Sequence, residues 1–483
     1  MTSYPLSKRY SAVQVAFFGS LLLSLLALLN NSVINRDGIV YVETARIFLQ
    51  DGLPATFKSF NWPFLSILMA LVSRLTGMGL EQAGHVLNAL FMAGTCALIV
   101  ASAERRMPEA AWAVCLVVLT LPAYNQYRDE ILREYGCWFF MTLSFWFALE
   151  WAESPRWRNA FAVQLALAAA VLFRPEAIVF FAIFPLWQLF STAKGEKWRC
   201  AFTIGFLPLL GFSVLLVLFF SGKLDSGHRL YGELSRMSLT RFDAKAQALS
   251  AALIPYARDQ ARIVLFLGSI AMTPLKFVRQ LGIFIVPLLY LFRFTGFRSA
   301  LSRMPLFAWA FLAHLIVLSV FVVDMQFLAG RYVAVLSLLA TPFIGLGCWQ
   351  LTQHFPRWKN ILLAFCILLM VSNVVSLNPG HNHFRQAGAW LAANTTESSG
   401  VYIEGSRTAY YAGWRTGTTV HLPEDRSSLS AGQQKKYDLF VLEVPRRDKG
   451  IDAWLASNDL REVVRFRNAR NDSVLIAKRN ANP

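Results

Sequence analysis

Acidic side chains are the scarcer charge in this chain of 483 residues: 29 Asp and Glu stand against 46 Lys and Arg, a formal charge of +17. The basic residues are scattered among apolar runs and form no single stripe, which argues against a nucleic-acid partner and for anionic lipid head groups and phosphates. Charge of either sign is sparse, at 16% of residues against 55% hydrophobic ones, and the mean hydropathy is +0.44. That composition excludes a soluble domain of this length, so the chain reads as a polytopic membrane protein. The six cysteines (Cys96, Cys115, Cys137, Cys200, Cys348 and Cys366) lie in or beside hydrophobic segments without C-x-x-C spacing, which supports neither a disulfide framework nor a thiolate metal site. No internal repeat is evident, which weakens a transporter built from duplicated halves. The turn Gly405-Ser406-Arg407 lacks the rest of a G-x-G-x-x-G fingerprint, so no nucleotide site is assigned.

What is abundant is apolar sequence. Lys8 and Arg9 precede a run from Ser11 to Leu29 that is longer than a signal-peptide core and has no small-residue cleavage site, which reads as an uncleaved signal anchor. Candidate spans lie near 12–30, 83–103, 110–124, 135–151, 159–174, 176–191, 201–221, 277–293, 305–323, 331–350 and 359–377. Lys8/Arg9, Arg105/Arg106, Arg156/Arg158, Lys194/Lys197/Arg199, Arg293/Arg298/Arg303 and Arg357/Lys359 share one side, the cytoplasmic one, provided the apolar run 263–275 does not cross. That run is therefore read as interfacial or re-entrant, which leaves about eleven spans and an outer C-terminus.

Four polar stretches then face outward: 31–62, 125–134, 222–262 and the tail from 378. In 38–51, Ile39, Val42, Ile47 and Phe48 alternate with Glu43, Arg46 and Gln50, which predicts a short amphipathic helix on the membrane surface. A second juxtamembrane helix is expected over 63–76, opened by Pro63 and interrupted by Arg74. In the tail, HFRQAGAWLAANTTES reads as a helix, VYIEGS as a strand, AYYAG as a helix or turn, and YDLFVLEV, VVRFRNA and SVLIAK as strands. The expected fold is a polytopic α-helical membrane protein with amphipathic helices on its outer face and a small C-terminal α/β extracytoplasmic domain. The expected division is a transmembrane catalytic domain over 1–377 and a periplasmic domain over 378–483.

Within these stretches, Asp37 follows Arg36 directly after the first span and is the leading candidate for a reactive centre. A carboxylate beside hydrocarbon is costly unless solvated or paired, so it suggests chemistry on a lipid-borne substrate; a solvated acid capping the next helix is the plain alternative. Arg128, Asp129, Glu130, Arg133 and Glu134 crowd into seven residues before another span. If that stretch is helical, Glu130 and Glu134 share a face and one or both could meet Asp37 and hold a divalent cation; the alternative is a self-neutralising charge cluster. Arg174 in L-F-R-P-E either bridges to Glu176 or binds a lipid phosphate, and Arg331 beside Tyr332 is a second guanidinium for the same anion. The loop 222–262, with Lys223, His228, Arg229, Tyr231, Arg236, Arg241 and Lys245, reads as a flap or as a solvated surface. His381 and His383 invite a metal reading but bring no third ligand.

Asp37 with Gly38 and Tyr41 after the first span, N-W-P-F-L beyond it, R-D-E-I-L-R-E before the fourth span, L-F-R-P-E, and G-R-Y at the tenth together resemble the GT-C glycosyltransferases. The nearest branch is the bacterial one that holds the aminoarabinose lipid A transferase and the protein mannosyltransferases. The resemblance spans roughly residues 10–377 in arrangement. It implies an inner-membrane enzyme that moves a sugar, with inversion, from a polyprenyl (undecaprenyl) phosphate donor to a periplasmic lipid, glycan or protein acceptor such as lipopolysaccharide. Asp37 takes the role of base or acceptor-positioning acid, and Asp129, Glu130 or Glu134 that of the second-loop acid. Arg36, Tyr41, Arg128, Arg133, Arg174, Glu176, Arg331 and Tyr332 are expected around the substrates. Many relatives carry Asp-Glu where this chain has Asp37-Gly38; a Mg or Mn ion, if used, would fall to Asp37, Asp129 and Glu130. A lipid-linked sugar flippase and an envelope-polysaccharide polymerase or ligase are the competing readings.

Overall fold

The computed structural model describes residues 11–30, 33–191, 196–221, 239–375, 381–396, 400–414, 426 and 436–480. The chain is a helical, multi-pass membrane protein with a small C-terminal sheet domain. Among the described residues, six helices are long and apolar enough to cross a membrane: Ala12–Asn30, Leu80–Arg106, Pro255–Thr295, Pro305–Met325, Gly330–His354 and Pro356–Val374. Phe64–Thr76, Pro108–Thr120, Trp157–Phe173 and Pro175–Phe190 are shorter apolar helices. The expected count of eleven spans is thus not reproduced by length and composition.

Three local expectations are corrected. The run 263–275 is not a separate re-entrant piece: the helix Ala261–Leu281 passes straight through it and through Pro274, and the break comes at Gly282, whose φ of +53° ends the helix. The helix expected over 38–51 runs over Arg36–Ser59, with a kink at Gly52, φ +77°. By contrast, Pro63 caps the helix Phe64–Thr76 as the sequence predicts. Much of the expected loop 222–262 is helical, over Leu239–Ala252 and Pro255–Gln260; its residues 222–238, which include Lys223, His228, Arg229, Tyr231 and Arg236, lie outside the described residues.

The chain forms two compact units. One comprises Met1–Leu23, Ala89–Tyr127 and Arg133–Val374; the other comprises Ser24–Asn88, Arg128–Leu132 and Val375–Pro483. In the first unit, the helices Glu134–Glu153 and Trp157–Phe173 are joined by three residues and must run antiparallel. Gly136 allows their close approach, since a Cβ there would sit 2.2 Å from the Phe173 ring. This hairpin brings residue 134 beside residue 174.

In the second unit, four strands form a sheet in the order β1-β2-β4-β3: β1 Val401–Ile403, β2 Leu439–Val444, β3 Leu460–Arg467 and β4 Ser473–Arg479. β1 pairs parallel with β2, and β4 is antiparallel to both β2 and β3. Side chains alternate between faces. Ile403, Val441, Val474 and Ile476 pack with Phe384, Ala387 and Leu391 of the helix Asn382–Asn394, while Tyr402, Phe440, Leu442 and Leu475 pack with Ile451 and Leu455 of the helix Ile451–Ser457. Val33, just after the helix Ala12–Asn30, joins the former core.

Candidate functional site

The charged cluster of the first unit follows from that hairpin. Glu134 opens its helix and is buried, with a side chain only 3% exposed. Arg174 Nη1 donates to Glu134 Oε1 at 2.6 Å, and Arg331 Nε lies 3.1 Å from the same oxygen. Arg174 also grips Glu176 with two hydrogen bonds, Nε to Oε2 at 3.1 Å and Nη2 to Oε1 at 2.5 Å. Of the two roles set out for Arg174, the bridge to Glu176 is present, and Arg174 also shares Glu134 with Arg331.

Local packing fixes the second arginine. Gly330 opens the helix that carries Arg331, and a Cβ there would sit 2.4 Å from the Tyr127 hydroxyl. Gln280 Nε2 donates to the Gly330 carbonyl at 2.7 Å, and Lys276 donates to that of Leu328. The Tyr332 ring lies 4.5 Å from the Arg174 guanidinium and 5.7 Å from that of Arg331, within cation–π range of each. His314 Nε2 sits 3.3 Å from the Tyr332 carbonyl oxygen in the first turn of that helix. No pattern in the sequence marked His314, which is isolated in an apolar helix.

These groups form one end of a hollow of about 170 Å3 whose remaining walls include Met141, Phe180, Leu318, Phe321 and Val335. Two guanidiniums at one end and hydrocarbon along the rest suit an amphipathic molecule with an anionic head. Glu134 Oε2 is buried and has no hydrogen-bond partner among the described residues.

The other candidates belong to the second unit. Asn35 Oδ1 accepts from the Ile131 amide at 2.9 Å and Asn35 Nδ2 donates to the Ile131 carbonyl at 3.2 Å, tying the stretch after the first span to that around residue 131. Asn88 Nδ2 donates to the Glu130 carbonyl at 3.2 Å. Residues 127–130 are turns and the helix starts only at Glu134, so the shared helical face expected for Glu130 and Glu134 does not exist. Asp37 is half-buried in the first turn of its helix. The Asp-Gly sequence is explained by space: a Cβ at Gly38 would lie 2.5 Å from Asn35 Oδ1 and 3.3 Å from Ile131 Cβ.

Arg36 reaches across to Glu443 of β2 at 2.9 Å, and Arg128 is buried with Nη1 donating to Ser24 at 2.9 Å. Tyr41 is buried edge-on to Phe60. Arg133 lies immediately before the Glu134 helix, and Asp129 is half-buried in the turn. Among the described residues no three His, Cys, Asp or Glu group as metal ligands. Asp37, Asp129 and Glu130 thus do not form the expected cation cage, and neither do His381 and His383 with a third partner.

No protein-family model matches the chain, and no curated protein does. The chain is similar in arrangement to crystal structures of ArnT from Cupriavidus metallidurans. In the apo state the identity is 14% and the TM-score 0.43, covering 96% of this chain and 97% of that one. Bound to undecaprenyl phosphate, the values are 14% and 0.46, covering 97% and 99%.

Proposed function

We propose that this protein is a membrane glycosyltransferase that takes a sugar from a polyprenyl-phosphate carrier and passes it to an acceptor of the cell envelope on the outer face of the inner membrane. The observation that carries the reading is the pair Arg174 and Arg331, held on one buried carboxylate at the end of an otherwise apolar hollow. The acceptor oxygen attacks the anomeric carbon, the bond from that carbon to the phosphate oxygen breaks, and the lipid phosphate leaves with the electron pair. A leaving phosphate needs charge neutralisation more than a proton, and fixed guanidiniums supply it without reorganising. Asp37 is assigned the acceptor's proton, or its orientation, on the resemblance of its sequence surroundings alone. No step is routed through a metal ion.

The charged groups sit where the helices of the hairpin begin and end, not halfway along them, which favours an enzyme working at the membrane surface over a carrier with a midplane site. The test is to compare envelope glycolipids and glycoproteins by mass spectrometry in cells carrying the wild type, Arg331→Gln, Asp37→Asn or no copy. The expected result is one sugar mass lost in all but the wild type. Identical products with and without the protein sink the proposal, and intact products with a folded Asp37→Asn remove the role given to that acid.

A further inference from the structure

The second unit holds two adjoining hollows that the transfer reaction does not use. One is about 810 Å3 and the other about 300 Å3, and they share Arg46 and Tyr410. The apolar wall of the larger comes from Leu28, in the last turn of Ala12–Asn30, and from Leu80 and Val86, in the first turns of Leu80–Arg106. Two helices able to span a membrane thus place their ends along it, which sets the groove at the boundary between hydrocarbon and water.

The polar side carries balanced charge. Arg46 and Arg385 are matched by Glu43 and Glu81. Glu43 binds Arg46 through both oxygens, at 2.6 and 2.7 Å, and Glu81 accepts from the Tyr410 hydroxyl at 2.8 Å. A phosphate or other polyanion gains little in a lining whose charges cancel. A neutral polyhydroxyl group, donor and acceptor at every hydroxyl, suits it well. The Gln82 and Gln50 amides offer both kinds of partner, and Trp414 and Tyr410 supply flat aromatic surface with a polar edge.

The groove is not where Asp37 works. Arg46 comes nine residues after Asp37 in the same helix, half a turn away around the axis, so the groove lies on the opposite helical face. We propose that it is a docking site for the sugar head of a neutral membrane glycolipid, whose hydrocarbon runs along Leu28 and Val86. This holds whether or not the protein transfers a sugar.

The test uses the full chain in phosphatidylcholine nanodiscs and a dodecyl maltoside bearing a photoreactive diazirine on its sugar. Labelled peptides are expected to include Glu43 to Gln50, Gly79 to Val86 or Tyr410 to Trp414. Unlabelled dodecyl maltoside should compete at lower concentration than dodecylphosphocholine. Arg46→Gln and Gln82→Ala should each cut labelling by about fivefold, the loss of one hydrogen bond. Gln82 is exposed, so its variant keeps the fold if Arg46→Gln does not. Labelling confined to other segments, equal competition by the phosphocholine, or an unchanged Gln82→Ala overturns the proposal. Because the readout is binding, it succeeds or fails separately from sugar transfer.

Discussion

Arg174 Nη1 lies 2.6 Å from Glu134 Oε1, a pair forty residues apart in sequence that a single helical hairpin brings to one end of two helices. Both side chains are at least nine-tenths buried, and each has a further partner: Glu176 for Arg174 and Arg331 for Glu134. The four residues form a neutral cluster at rest. A phosphate entering it must displace a carboxylate, and Glu176, 40% exposed, is the one that can turn away into water.

That asymmetry separates the two arginines. Arg174→Gln leaves Glu134 buried beside a lost partner and is expected to cost about 3–5 kcal/mol of stability, seen as poor expression and early thermal unfolding. Adding Glu134→Gln should recover part of that loss. Arg331 is more exposed, so Arg331→Gln should keep the fold and lower sugar transfer by about a hundredfold. Normal transfer by a folded Arg331→Gln removes that residue from the anion site.

Glu176 is expected to act in the opposite direction. Its removal as Glu176→Gln frees two donors of Arg174 from an anionic competitor, so polyprenyl phosphate should inhibit the variant at about tenfold lower concentration than it inhibits the wild type. An inhibition constant that rises instead would show that Glu176 supports the bound anion, and the displacement argument would fail.

Elements governed by neighbouring residues were legible in the sequence. Pro63 set the start of the helix Phe64–Thr76, and short apolar runs rich in β-branched and aromatic residues located all four strands of the tail. The short helix Ile451–Ser457 between β2 and β3 was missed. What was misread depends on distant partners. A common helical face for Glu130 and Glu134 needs a helix that starts by residue 130, but the chain there is held in a turn, with the Ile131 amide bonded to the Asn35 side chain 96 residues away, and the helix starts only at Glu134. The same contact explains Gly38, whose missing side chain makes room for Asn35 and Ile131. Residue type alone groups Arg174 with Arg331 as two guanidiniums for one anion, and the fold places both on the Glu134 carboxylate. Glu134 as the acid between them became visible only with the hairpin.

The hairpin itself is testable at Gly136. Alanine there places a methyl group 2.2 Å from a Phe173 ring carbon, so the helices must separate or the ring must leave its site. Gly136→Ala is expected to destabilise the protein by about 1–3 kcal/mol and to lower transfer, because it shifts Glu134 from Arg174. Gly136→Ala with Phe173→Leu, which removes the obstructing ring, should regain part of the stability. An undisturbed melting temperature in the single variant would mean that the close approach is not what holds residues 134 and 174 together.

Acid should weaken the C-terminal domain through His383. This histidine is 3% exposed in the helix Asn382–Asn394, and burial pushes its imidazole down to about 4, with His381 and Arg407 pushing the same way and Asp472 opposing them. An unfolded histidine titrates near about 6.5, so between these values the unfolded chain binds more protons than the folded one. The stability that comes from keeping this ring neutral is therefore fully present above the unfolded value and is lost progressively as pH falls through the window from 6.5 to about 4. Glu443 has the opposite sign, because burial raises its carboxyl and makes folding less unfavourable when it is protonated. The histidine contribution is read as the difference between the wild type and His383→Phe. On acidification from about pH 7.5 to about pH 4.5, the wild type should lose more of its melting temperature than the variant, by a few degrees. Equal losses in the two proteins would assign the acid sensitivity to other groups.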